Sequence, residues 1–233
     1  MQKKLSGFQF PQQVNVSRVG RKIFFSCEVL EDSIHELIRL LAEIEAEDEE
    51  LSPQSKIETL LTDILSVADL KKKKKSIKKE LLDTLDDSID TYNSDSSFDR
   101  DPIQLYISSR GGDIEEALAY IDYIKTMKIP VHAIAIGKTM SAGALMLLAS
   151  DKRFATQNAN ILIHQLKTGM FGTYQDLEEE MIEIRRTNDL INELILTYTK
   201  VTEEMLQDIQ QFKYDYYMTP EEALDLGIID EII

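Results

Sequence analysis

From residue 101 onward the chain alternates short apolar, strand-like runs with helical ones, and that order restricts it to few architectures. QLYIS at 104–108 is followed by a glycine pair and the helical pattern of 113–127. VHAIAIG at 131–137 is followed by SAGALMLLAS, and ANILIHQ at 159–165 by the loop LKTGMFGT and a helical stretch over about 174–199. That stretch has apolar residues at 177, 181, 184, 191, 195 and 198, the spacing of one helix face. Thr219-Pro220 supplies a cap and a first-turn proline for one more helix, and GIIDEII closes the chain as a strand. Strand-then-helix units in series predict a mainly parallel sheet covered by helices, an α/β fold.

The first hundred residues read differently. VNVSRV and KIFFSCEV over 14–29 are strand-like, and Asp32 or Ser33 is placed to cap a helix with Ile34, Leu37, Ile38, Leu41 and Ile44 on one face. No glycine occurs between Gly20 and Gly111. Within that gap two amphipathic stripes flank a lysine run at 71–75, 78 and 79, and the polar stretch TYNSDSSFDRD follows. The expected organisation is an N-terminal segment with the first strands and helix (1–49), a charged helical insertion (50–100) and a catalytic core (101–233). The insertion is read as two short helices and a disordered linker.

Composition narrows the function. The net charge of −16 argues against nucleic acid as a partner, and the lysine run is read as a solvated helix face. No apolar run approaches a membrane span, and no apolar core follows the basic start MQKK, so neither a membrane segment nor a signal peptide is expected. The single cysteine, Cys27, lies in a strand-like run and suits core filling in a reducing, cytoplasmic setting.

Sites in open α/β sheets form at the carboxyl ends of strands, and three features fall there. Ser141 follows the strand 131–136 and begins a helix, where unpaired N–H groups favour anionic species; Ala142, Gly143 and Ala144 keep its surroundings thin. A serine there also reads as a plain helix cap. Gly111-Gly112 ends another strand and suits either an ordinary turn or an oxyanion hole. Of three histidines, His35 lies on an exposed-looking helix position and His132 on a sheet face. His164 ends the strand ILIH, where a general base would sit or a structural histidine would serve. The acid of an acyl-transfer site cannot be chosen from spacing among 42 Asp and Glu residues.

These segments together resemble the ClpP peptidases. SSRGGDIEEALAYIDYIK is similar to that family's N-S-P-G-G segment and following helix, GKTMSAGALMLLAS to the surroundings of its nucleophile, ILIHQ to its M-I-H-Q-P, and DYYMTPEEALDLGIIDEII to its C-terminal segment. The likeness spans about 101–233, with a weaker match over 20–46. It implies Ser141 as nucleophile, His164 as base and Asp215 as the imidazole-orienting acid, with an oxyanion hole from the backbone N–H groups of Gly112 and Ala142. It further implies the ClpP/crotonase-like fold of stacked ββα units with a handle helix, here with a helical insertion.

Two stacked seven-membered rings enclosing a chamber are implied too, with no metal or organic cofactor, polypeptide substrates, and an AAA+ unfoldase feeding the chamber. Arg110 and Leu166 replace family prolines, and Glu43 and Gln104 are polar where the family's docking face is apolar. These departures suggest a dedicated partner, and leave a ClpP-like maturation protease, such as one processing viral capsids, as an alternative. A crotonase-type acyl-CoA enzyme and a catalytically silent ring subunit are the remaining alternatives; the complete Ser-His-Asp set argues against both.

Overall fold

A computed structural model describes residues 14–51, 101–212 and 215–233. The expected insertion helices and linker lie outside the described residues. The chain divides into two compact units, 1–40 with 102–233, and 41–101. The first unit holds every described strand.

Its elements in chain order are β1 (Val16–Val19), β2 (Lys22–Phe25), α1 (Glu31–Leu51), β3 (Ile103–Ser109), α2 (Ile114–Thr126), β4 (Val131–Met140), α3 (Ala142–Leu148) and β5 (Lys152–Ala155). β6 (Asn160–Ile163), α4 (Tyr174–Tyr198), α5 (Glu203–Phe212), β7 (Tyr216–Met218), α6 (Pro220–Asp225) and β8 (Glu231–Ile232) complete them. The sheet order is β1-β2-β3-β4-β5-β8, with β6 paired to β4 and β7. From β2 to β8 the neighbours along the main path are parallel, and β1–β2 and β6–β7 are antiparallel. In β3, Ile103, Leu105 and Ile107 are fully buried and alternate with half-buried residues, so one face is sealed in the core and the other is partly covered.

Several elements differ from the sequence reading. β4 continues past Gly137 to Met140, because Gly137 adopts φ +58° and lets the strand bend without ending. Its first half pairs with β5 and its second half with β6. Ser33 does not precede α1 but lies in its first turn, buried. Its hydroxyl accepts from the Leu30 N–H and is placed to donate to the Glu28 or Leu30 carbonyl. α1 also runs on through the acidic stretch to Leu51. Asp113 caps α2, accepting from the Glu115 and Glu116 N–H groups. Thr219 and Glu222 form a reciprocal capping box at α6.

Candidate active site

Three neighbouring strands determine the site. β4 and β6 run parallel with Met140 opposite Leu162, and β6 and β7 run antiparallel with Ile163 opposite Tyr216. One step beyond each pairing lie Ser141 at the end of β4, His164 at the end of β6 and Asp215 at the start of β7. The three residues implied by the resemblance therefore meet at one sheet end, from chain positions as far as 74 apart.

Ser141 occupies the first position before α3, but its side chain makes no capping hydrogen bond. Its backbone sits at φ 54°, ψ −126°, and it is the one non-glycine residue with positive φ among the described residues. Such a conformation costs about 1–3 kcal/mol and persists only where the surroundings enforce it. Here they do: the Ser141 N–H donates to the Leu162 carbonyl at 2.9 Å, and its own carbonyl accepts from the Ala144 and Leu145 N–H groups. The result is a sharp strand-to-helix turn that leaves Oγ uncommitted to the cap. The plain capping role open from sequence does not fit this geometry.

The glycine pair is built against that turn. Ser109, buried at the end of β3, accepts the Gly111 N–H on its hydroxyl at 3.1 Å, and Thr139 donates its hydroxyl to the Ile107 carbonyl at 2.9 Å. A register shift between Ile107 and Ser109 accompanies these bonds. Gly111 then passes so close to the turn that a Cβ there would lie 2.6 Å from the Ser141 Cβ. At Gly112 a Cβ would lie 2.2 Å from the Val29 carbonyl oxygen. The Val29 bridge uses the Gly111 carbonyl and the Asp113 N–H, so the N–H of Gly112 faces the opposite side, where Gly112 lines the cleft. Ala142, at the start of α3, lines the same cleft. Gly143 allows α3 to approach β3, since a Cβ there would meet Ser109 at 3.1 Å.

That cleft has a volume of about 160 Å³ and also contains His164, Leu145, Ile163, Lys167, Ile191 and Ile195. The His164 Nδ1 lies 2.5 Å from the Gln165 carbonyl oxygen. A carbonyl only accepts, so Nδ1 is the donor in this contact, and Nε2 lies outside it. Asp215 does not hold that Nδ1. Its Oδ1 accepts from the Lys167 Nζ at 2.9 Å, and this bond, together with the charges of Lys167 and His164, outweighs burial and keeps its carboxyl below the usual carboxylate range.

Lys167, Ser109 and Thr139 are site residues that sequence reasoning passed over. The two hydroxyl residues had a signal, a polar group ending an apolar strand; Lys167 had none. The other two histidines lie elsewhere: His35 is exposed on α1, and His132 packs its ring against Phe154 on the sheet face. The loop 164–172 forms no strand. Among the described residues no group of three His, Cys, Asp or Glu is placed to hold a metal, and no helix is long and apolar enough to cross a membrane.

The family model of Clp protease matches residues 63–233. The chain belongs to the Clp protease family. It is thereby a serine endopeptidase of the ClpP type. The chain is 37% identical over 141 residues to the ATP-dependent Clp protease proteolytic subunit of Deinococcus radiodurans, covering 60% of this chain and 68% of that one. It is 38% identical over 135 residues to ATP-dependent Clp protease proteolytic subunit 2 of Treponema pallidum, covering 57% and 66%. Among solved structures, a ClpP1 variant of Listeria monocytogenes shares the fold, with a TM-score of 0.61 at 24% identity, covering 92% of this chain and 91% of that one.

Proposed function

We propose that this ClpP-type peptidase hydrolyses unfolded polypeptides through an acyl-enzyme on Ser141. His164 Nε2 takes the Ser141 proton as Oγ attacks the peptide carbonyl, then returns it to the leaving amine; water completes the cycle by the reverse exchange. The N–H groups of Gly112 and Ala142 receive the tetrahedral oxyanion, and Asp215 orients the imidazole during turnover. The observation that carries this reading is the strained Ser141 turn, which presents an uncapped hydroxyl beside Gly112 and His164 in one cleft. Labelling with a fluorophosphonate probe tests it: wild type forms an adduct and Ser141→Ala does not. An adduct that persists in Ser141→Ala, or none on assembled wild type, overturns the assignment.

The chamber belongs to the same proposal. Of the 25 residues of α4, Ile195 is the one buried, while Tyr174, Met181, Ile182 and Leu190 are exposed. A long helix with so little cover from its own chain suits packing between copies, as in two stacked heptameric rings. Sedimentation analysis should give an oligomer of about fourteen subunits, and a monomer at micromolar concentration would refute this part.

An unfoldase ATPase, or a dedicated partner in its place, would supply substrate. The dedicated partner is favoured by the sheet face around Phe24 and Tyr106, whose rings stack at 4.9 Å. Beside this aromatic pair the register sets Lys22, Gln104, His132 and Lys152 in one row, with Gln104 Oε1 accepting from the Tyr106 hydroxyl, polar groups that a purely apolar docking peptide would have to desolvate. Peptidase stimulation by the host unfoldases separates the two.

A further inference from the structure

The base and a competitor for its acid lie on one segment. His164 ends β6, and Lys167 follows three residues later in the irregular stretch that lines the cleft. Asp215 reaches the same place from the start of β7, one step past the Ile163–Tyr216 pairing. Its Oδ1 is engaged by Lys167 while His164 Nδ1 is engaged by the Gln165 carbonyl. His164 Nδ1 and one oxygen of the Asp215 carboxylate are thus each engaged by another partner, both drawn from the segment 165–167. The charged groups acting on Asp215 among the described residues are Lys167 and His164.

We propose that Lys167 is a positioning residue that competes with His164 for the Asp215 carboxylate, so that turnover proceeds from the fraction of sites in which the ion pair has opened. This rests on the reading of Asp215 as the imidazole-orienting acid. The pair is exposed, with 66% of the Lys167 side chain and 38% of the Asp215 side chain open to solvent. Exposed pairs are weak, so the latch biases the site by a small factor and does not lock it. Lys167 takes Oδ1, and the carboxylate keeps further acceptor sites, so the competition is one of orientation: holding the ammonium turns the carboxyl away from the imidazole.

The test is steady-state cleavage of a fluorogenic peptide by the assembled full chain in five forms: wild type, Lys167→Met, Lys167→Arg, Asp215→Asn, and Asp215→Asn with Lys167→Met. Removing the competitor should raise kcat by roughly two- to fivefold with KM unchanged, because the open population grows while the cleft keeps its shape. Lys167→Arg, which keeps the ion pair, should stay at or below wild type. In the Asp215→Asn background the Lys167→Met change should have no effect. A flat kcat in Lys167→Met, an equal rise in Lys167→Arg, or a gain that persists without Asp215 each overturns the proposal. If Asp215→Asn itself keeps the wild-type kcat, the role of Asp215 falls and the latch with it. If Asp215→Asn is impaired while Lys167→Met is unchanged, the latch alone falls.

Discussion

Gly111→Ala is the substitution that addresses the strained turn most directly. The added Cβ would lie 2.6 Å from the Ser141 Cβ, 2.9 Å from the Met140 carbonyl oxygen and 3.1 Å from the Ala142 nitrogen. Carbon atoms pack at about 3.5–4.0 Å, so the Ser141 Cβ must move by about 1 Å or Gly111 must retreat by as much. Retreat is resisted by two hydrogen bonds, from the Gly111 N–H to the Ser109 hydroxyl and from the Val29 N–H to the Gly111 carbonyl. Gly111 also holds φ +99°, which costs an alanine about 1–3 kcal/mol. A displacement of about 1 Å at a reacting group lowers rate by about a hundredfold. The variant should therefore show kcat down by about two orders of magnitude and a Tm lower by several degrees. Peptide cleavage, fluorophosphonate labelling rate and calorimetry on one preparation measure all three. A variant that labels and turns over within threefold of wild type would refute the idea that Gly111 shapes the Ser141 turn.

Two further predictions concern stability. Burial pushes the Asp230 carboxyl up, but its hydrogen bonds to the Arg153 backbone and side chain and the Arg153 charge outweigh that and hold it below the usual carboxylate range. A carboxyl lowered on folding stabilises above the unfolded value of about 3.9 and loses that contribution as pH falls through the folded one. The Tm difference between wild type and Asp230→Asn should therefore shrink as pH drops below about 4; a difference constant from pH 7 to pH 3 would contradict it. Thr219→Ala removes the hydroxyl that accepts the Glu222 N–H at α6, which costs about 1 kcal/mol, read as a Tm fall of about 2–4 °C. No change in Tm would mean that the box contributes nothing.

Elements with strong local signals were legible in the sequence. Helix spacing placed α2 and α4, the caps at Asp113 and Thr219 stand where Asp and Thr precede their helices, and alternation placed β3. β5, β7 and α5 were not, for physical reasons. β5 and β7 are four and three residues long and half exposed, too short to show a period. Among the described side chains of α5, Leu206 and Ile209 are the buried ones. These elements form because longer neighbours pair with them or cover them, which no local pattern records.

By itself the sequence determined an α/β chain and, through four motifs in order, which serine, histidine and aspartate to watch. It left Ser141 divided between a helix cap and a nucleophile, since both are written as a serine before a helix. Tertiary structure removed the cap from that pair, because the φ of 54° and the Gly111 contact depend on β3, β4 and β6 meeting at one edge and leave the hydroxyl without a capping bond. It also decided which group Asp215 holds. The choice between Lys167 and His164, 48 and 51 positions away, is set by the pairing of β6 with β7 and by the path of the segment that follows, neither of which is encoded in any residue's immediate neighbours.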